Sequence, residues 1–176
     1  MAHIHRIEVA LKDENLDSNG FSTKQDIGDD LQINGIDSVK STEVYYFYTQ
    51  LGEEKLKQIA EKVFIDPIIQ KYSVNKTIFQ NYKYYIEVKF NEDVTDNVGI
   101  IAKEAVEDYL GEKIEGNIRT AKRYYFDGNI SKEDLEKIGS ELLANDVIET
   151  FEVKHKLFEK KFDQKSASQI NGGKNE

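Results

Sequence analysis

Residues 7–11 read Ile-Glu-Val-Ala-Leu, and residues 86–90 read Ile-Glu-Val-Lys-Phe. Ile7, Val9 and Leu11 fall on one side of an extended chain, as do Ile86, Val88 and Phe90. The alternation predicts a half-buried strand in both places. The two stretches lie 79 residues apart, and the spacing holds well beyond them. Sliding the sequence by that amount aligns residues 5–74 with 84–153 without a gap and produces sixteen identities. The identities cluster. Besides Ile-Glu-Val, they pair Asp17 and Gly20 with Asp96 and Gly99, and Tyr45-Tyr46-Phe47 with Tyr124-Tyr125-Phe126. Apolar positions match between the clusters as well, so the chain reads as two copies of one unit.

Outward from its first strand, each copy reads strand–helix–strand–helix–strand. The first helix of copy two carries a stripe of Val98, Ile101, Ala102, Ala105, Val106, Tyr109 and Leu110. Asn97 is placed to cap its start and Gly111 to end it in the left-handed conformation. In copy one the matching positions are Asn19, Ser22, Thr23, Asp26, Ile27, Asp30 and Leu31, a polar set that predicts thin packing. The middle strand includes Glu43–Thr49 and Lys122–Phe126, each centred on an aromatic triplet. A second helix follows, with Leu56, Ile59, Ala60, Val63 and Phe64 answered by Leu135, Ile138, Gly139, Leu142 and Leu143. Ser131-Lys132-Glu133-Asp134 resembles a capping box at its start. Pro67, the only proline, punctuates its end in copy one, and Asn145-Asp146 in copy two. Ile69–Val74 and Val147–Val153 supply the last strands.

Amphipathic helices alternating with half-buried strands predict an α+β chain folded as a two-layer α/β sandwich. One helical layer covers one face of the sheet. The other face is expected to be solvated or covered by the second copy. The units run over 1–74 and 83–155, joined by a connector at 75–82, and a polar tail at 156–176 is expected to be disordered.

Composition excludes whole classes of function. Lys and Arg number 24 against 33 Asp and Glu, a net charge of −9. Such a chain is repelled by a phosphate backbone, so nucleic acid is not an expected partner. The absence of cysteine removes disulfides, thiolate metal sites and cysteine nucleophiles together. No apolar run reaches the length a bilayer span needs, which predicts a soluble, cytoplasmic protein with no membrane partner.

Residues with chemical potential each have a plainer reading. His3 and His5 share a side of the first strand, but two ligands without a third nearby read as a polar edge pair. His155 is expected past the last strand, in solvent. Asn15–Gly20 has the alternating spacing of a calcium loop, yet it starts on Asn15, meets Asp26 at its twelfth place and has Val94, Asp96 and Val98 as counterparts in copy two. What the copies share there is Asp17 with Gly20 and Asp96 with Gly99, a turn entering a helix. Asp26–Asp30 and Glu53-Glu54 read as solvated helix faces. No phosphate-cradling, nucleophile-elbow or metal-helix motif occurs, so no catalytic, cofactor-binding or metal residue is assigned. In the triplets, Tyr46 and Tyr125 point opposite to Tyr45, Phe47, Tyr124 and Phe126. One face of these aromatics then feeds the core, and the other offers an interface to a partner or to the second copy.

These pieces resemble the PurS family, the small subunit of phosphoribosylformylglycinamidine synthase. The resemblance rests on Ile7-Glu8-Val9, on Asp17 to Gly20 entering a helix, and on Phe64-Ile65-Asp66-Pro67-Ile68-Ile69. Copy two repeats it in Ile86-Glu87-Val88, Asp96 to Gly99 and Leu142–Glu149, with Asp146 in place of the proline. The resemblance implies two tandem PurS-like repeats forming a pseudo-dimer. It implies a non-catalytic subunit, or N-terminal region, that joins PurL-type synthetase and PurQ-type glutaminase parts. ATP and Mg²⁺ would then belong to the synthetase partner and no cofactor to this chain. A metabolite-sensing regulatory repeat module is the alternative from another class.

Overall fold

The computed structural model describes residues 3–155. Met1, Ala2 and the expected tail at 156–176 lie outside the described residues. Among the described residues, six strands form one antiparallel sheet: β1 (His3–Leu11), β2 (Ile36–Thr49), β3 (Gln70–Val74), β4 (Tyr84–Phe90), β5 (Ile118–Gly128) and β6 (Glu149–His155). Their order across the sheet is β3-β1-β2-β5-β4-β6. Four helices, α1 (Ser18–Asp29), α2 (Glu53–Ile59), α3 (Asn97–Leu110) and α4 (Lys132–Ile138), connect them. Both α2 and α4 run on through one π-turn, over Ala60–Phe64 and Gly139–Leu143. The α+β class and the two layers are as the alternation predicts.

The joining of the halves decides between the two expectations for the open sheet face, which the second half does not cover. They do not stack through their uncovered sheet faces. They meet edge to edge, where β2 pairs antiparallel with β5 and makes one continuous sheet. Glu43 faces Lys122 at the middle of this seam, Val39 faces Phe126, and Phe47 faces Ile118. Pairs on either side of Glu43–Lys122 are thus related by the same shift of 79 residues that relates the sequences.

These four helices contribute to two core clusters on one face of the sheet. Ile7, Val9 and Phe47 pack there with Leu56 and Ile59 of α2, and Ala102 and Val106 of α3 join them. Ile86, Val88 and Phe126 pack with Leu135 and Ile138 of α4, and Ile27 of α1 joins these. Each half's first helix therefore reaches across to the other half's core. The thin packing that the polar stripe of α1 predicts is what is found: only Gly20, Thr23 and Ile27 are buried on it.

The helix starts rest on the two Asp–Gly pairs. The Asp17 side chain accepts from the backbone N–H of Gly20 at 2.9 Å and from the N–H and hydroxyl of Ser41, both at 2.6 Å. Asp96 does the same for Gly99 at 2.8 Å and for the Thr120 N–H at 2.5 Å. Asp96, not Asn97, is therefore the N-cap of α3, because its side chain takes the Gly99 N–H, and it reaches the neighbouring strand as well. Glycine is needed where the helix touches that strand. A Cβ on Gly20 would lie 2.3 Å from the Val39 carbonyl oxygen, and one on Gly99 would lie 2.3 Å from that of Ile118. Gly111 closes α3 at φ 70°, and Ser131 caps α4 by accepting from Asp134 N–H at 3.0 Å, both as expected. β6 extends through His155, whose ring packs against Tyr84 at 4.7 Å, which corrects its assignment to solvent.

Candidate functional site

The face of the sheet without helices is not a plain surface. Strand alternation sends Glu8 of β1, Thr42, Val44 and Tyr46 of β2, Glu87 of β4, and Ala121, Arg123 and Tyr125 of β5 to this side. The register sets them around the β2–β5 seam. Glu8 and Arg123 have no exposed surface, and Glu87 is 3% exposed. A buried charge needs a partner and hydrogen bonds to its remaining polar atoms. Here both are supplied.

Arg123 Nε donates to Glu87 at 2.5 Å, and its Nη1 lies 3.4 Å from Glu8. Its Nη2 donates to the Tyr46 hydroxyl at 3.0 Å, and that hydroxyl donates to Glu87 at 2.7 Å. Glu8 also accepts from the Thr42 hydroxyl at 2.9 Å and from the Tyr125 hydroxyl. The guanidinium stacks 4.6 Å from the Tyr85 ring centre. Burial pushes the Glu87 carboxyl up. Arg123, Lys154 and the bonds from Tyr46 and Arg123 outweigh it and hold the group down at about 2. Burial raises both Tyr46 and Tyr125, and the neighbouring Glu87 and Glu8 reinforce the shift, so both hydroxyls stay protonated as donors.

The connector supplies a lid over part of this face. Phe79 and Tyr82 are buried against Ala10, Tyr85 and Tyr125. Phe79 meets Tyr125 edge-on at 5.3 Å, and Lys40 and Lys71 each lie 5.0 Å from its ring centre. What reads in the sequence as a link between units is packed structure.

The six aromatics of the triplets divide as the alternation requires. Tyr46 and Tyr125 lie in the charged network, while Phe47 and Phe126 are buried in the two helix-side cores. Tyr45 and Tyr124 pack half-buried against those cores. Phe47, Tyr125 and Phe126 are enclosed by this chain itself, and Tyr45, Tyr46 and Tyr124 keep partial exposure. Asp17, Gly20, Asp96 and Gly99 form two equivalent turns whose carboxylate oxygens are committed to backbone and hydroxyl donors. The His5 ring lies 3.0 Å from the Asn75 side chain.

Glu8, Glu87 and Arg123 are the residues a reading by motif passes over. The two acids leave a signal in the repeated Ile-Glu-Val, where an identical acid stands mid-strand in both copies opposite the core-facing side, while Arg123 replaces Val44 and leaves none. A second pair of equivalent positions carries exposed apolar side chains. Ile68 is 82% and Val147 77% exposed, on the turns that lead into the edge strands β3 and β6. Those turns are built alike. Asp66 accepts from Ile68 N–H at 2.8 Å and Asn145 from Val147 N–H at 3.1 Å.

Compared with known families, residues 4–77 match the PurS family model, described as phosphoribosylformylglycinamidine (FGAM) synthase. The match covers the first strand through the start of the connector. A comparison with curated proteins finds no match.

Proposed function

From the premise that residues 4–77 are a PurS-like region, which links the chain to FGAM synthase and purine biosynthesis, we propose that this protein is a non-catalytic structural component of that synthase. It acts as a separate subunit or as the N-terminal region of a longer one, holding the PurL-type synthetase and PurQ-type glutaminase parts together. The family match carries the reading. The geometry supports it, because the buried acids and hydroxyls are spent on joining strands and seating helices. ATP and Mg²⁺ belong to the synthetase partner, and the work is cytoplasmic.

The second half is proposed to be a further PurS-like repeat, with units at 1–74 and 83–155 forming a pseudo-dimer. Three features support it. The element order recurs, the Asp–Gly turns recur, and Lys24 and Lys103 each donate to the equivalent carbonyl, of Asp37 and Gly116, at 2.7 Å.

Reconstitution tests the role. The synthetase and glutaminase parts are mixed with and without this chain, and glutamine-dependent amidation of formylglycinamide ribonucleotide is followed. The chain is expected to restore activity that the other two lack, and to co-elute with the synthetase when nucleotide and glutamine are present. Equal activity without it overturns the assignment. The partner contact is expected to use apolar anchors more than charge, since charge at net −9 mainly alters the rate of encounter.

A further inference from the structure

The seam has near-twofold symmetry in its backbone but not in its charges. Residues 39–49 of β2 have their equivalents 79 positions on in β5, and the symmetry centre lies where Glu43 faces Lys122. Glu8 and Glu87 are identical equivalents, as are Tyr46 and Tyr125. Each tyrosine reaches across the seam to the other half's glutamate. Of the equivalents that differ, two change the charge beside the axis. Glu43 corresponds to Lys122 on the helix side, and Val44 corresponds to Arg123 on the opposite face.

We propose that these two differences make the seam selective: the β2 edge of the first half fits the β5 edge of the second, and each edge discriminates against a copy of itself. A β2 edge paired with its own copy in the same register sets Glu43 against Glu43. It also brings two Glu8 carboxylates to the axis with Val44 in place of the arginine that contacts both acids. A β5 edge paired with its own copy sets Lys122 against Lys122 and places two Arg123 guanidinium groups in the space of one. Like charges directly opposite destabilise a sheet pair, and a buried carboxylate that loses its cation is costly. The mixed seam has one arginine between two acids and an opposite-charge pair at its centre. Selection by repulsion of the wrong pairing is a general device of specific interfaces. The inference is independent of the synthase assignment, since it concerns which edges pair and not what the protein serves.

The test writes each self-paired seam into the full chain. Glu43→Lys creates the Lys–Lys seam and Lys122→Glu the Glu–Glu seam. Both residues are exposed, so neither variant threatens folding. Each single substitution is expected to lower the melting midpoint by roughly 1–3 °C at low salt. The exchange Glu43→Lys with Lys122→Glu is expected to restore the midpoint, and added salt to shrink the single-variant losses. Arg123→Met is expected to lower the midpoint further than either, by roughly 5 °C or more, with partial recovery when Glu8→Gln is added. Single variants that melt with the wild type, or an exchange variant no better than the singles, overturn the selectivity of the central pair. No recovery from Glu8→Gln shows that the loss does not come from leaving the Glu8 charge without its cation, and overturns the part of Arg123.

Discussion

Gly99 and Gly20 show how little freedom single positions have where helix and strand backbones touch. An added Cβ at either would meet a strand carbonyl oxygen at 2.3 Å, and backbone cannot step aside as a flexible side chain can. Gly99→Ala is expected to destabilise the protein by about 2 kcal/mol or more in urea denaturation, against a gain of less than 1 kcal/mol from alanine's helix preference. Glu87 makes a different prediction. Its carboxyl is held at about 2 in the folded chain against an ordinary value of 4.5. The folded state therefore binds this proton less readily than the unfolded state, and the resulting stability is complete above pH 4.5. It is lost as pH falls from about 4.5 towards 2, a loss of about 3 kcal/mol at most. Glu87→Gln should flatten that acid limb of a stability–pH curve, and an unchanged limb would refute the assignment. On the alkaline side, the raised Tyr46 and Tyr125 predict stability that declines as pH rises above 10, where the unfolded tyrosines ionise first.

At the scale of elements, the connector carries the sharpest consequence. If residues 75–82 were only a tether, shortening side chains there would cost almost nothing. Phe79 is 8% exposed and packs on Tyr125 beside two lysines. Phe79→Ala is expected to cost about 3 kcal/mol, measured by urea denaturation, while Gln80→Ala at the exposed neighbouring position should stay within about 0.5 kcal/mol. This element was illegible in the sequence because Lys76–Lys83 has neither period, only scattered apolar residues among polar ones. The β2 strand was half legible for a similar reason. Glu43–Thr49 announces itself by aromatics, but Ile36–Thr42 is mostly Ser, Lys, Thr and Asp, and is drawn into the sheet by pairing with β5. Tertiary pairing overrides strand preference there. The first-strand alternation, the Gly111 ending and the Ser131 cap were all readable, because each depends on neighbours within a few residues. The Asp96 cap of α3 also holds Thr120, 24 residues away, a contact that no local pattern reveals.

For the molecule as a whole, the hydrophobic pattern revealed how many layers there are and left open how the halves meet. Alternation reports which side chains face a core and is silent about the backbone N–H and C=O groups at a strand's edge, which also demand partners. Those groups decide the joining here, through β2 and β5. The consequence is energetic. Ile27 is 1% exposed and belongs to the core beneath Ile86 and Leu135, whereas Val106 is fully buried in the core beneath Ile7 and Leu56. Each half thus completes the other's core, and the Glu8–Arg123–Glu87 node binds them on the opposite face. Opening the seam would strip an apolar helix contact from both cores and separate buried charges at once, so no state with one half folded is favoured. The full chain is expected to unfold in one cooperative step. Tyrosine fluorescence and far-ultraviolet circular dichroism should give the same urea midpoint. Hydrogen exchange at Ile7 and Val88 should report the same opening free energy, and Ile27→Ala should lower protection at both positions. Two separated transitions, or loss of protection confined to one half in Ile27→Ala, would show that the halves stand independently despite the shared sheet.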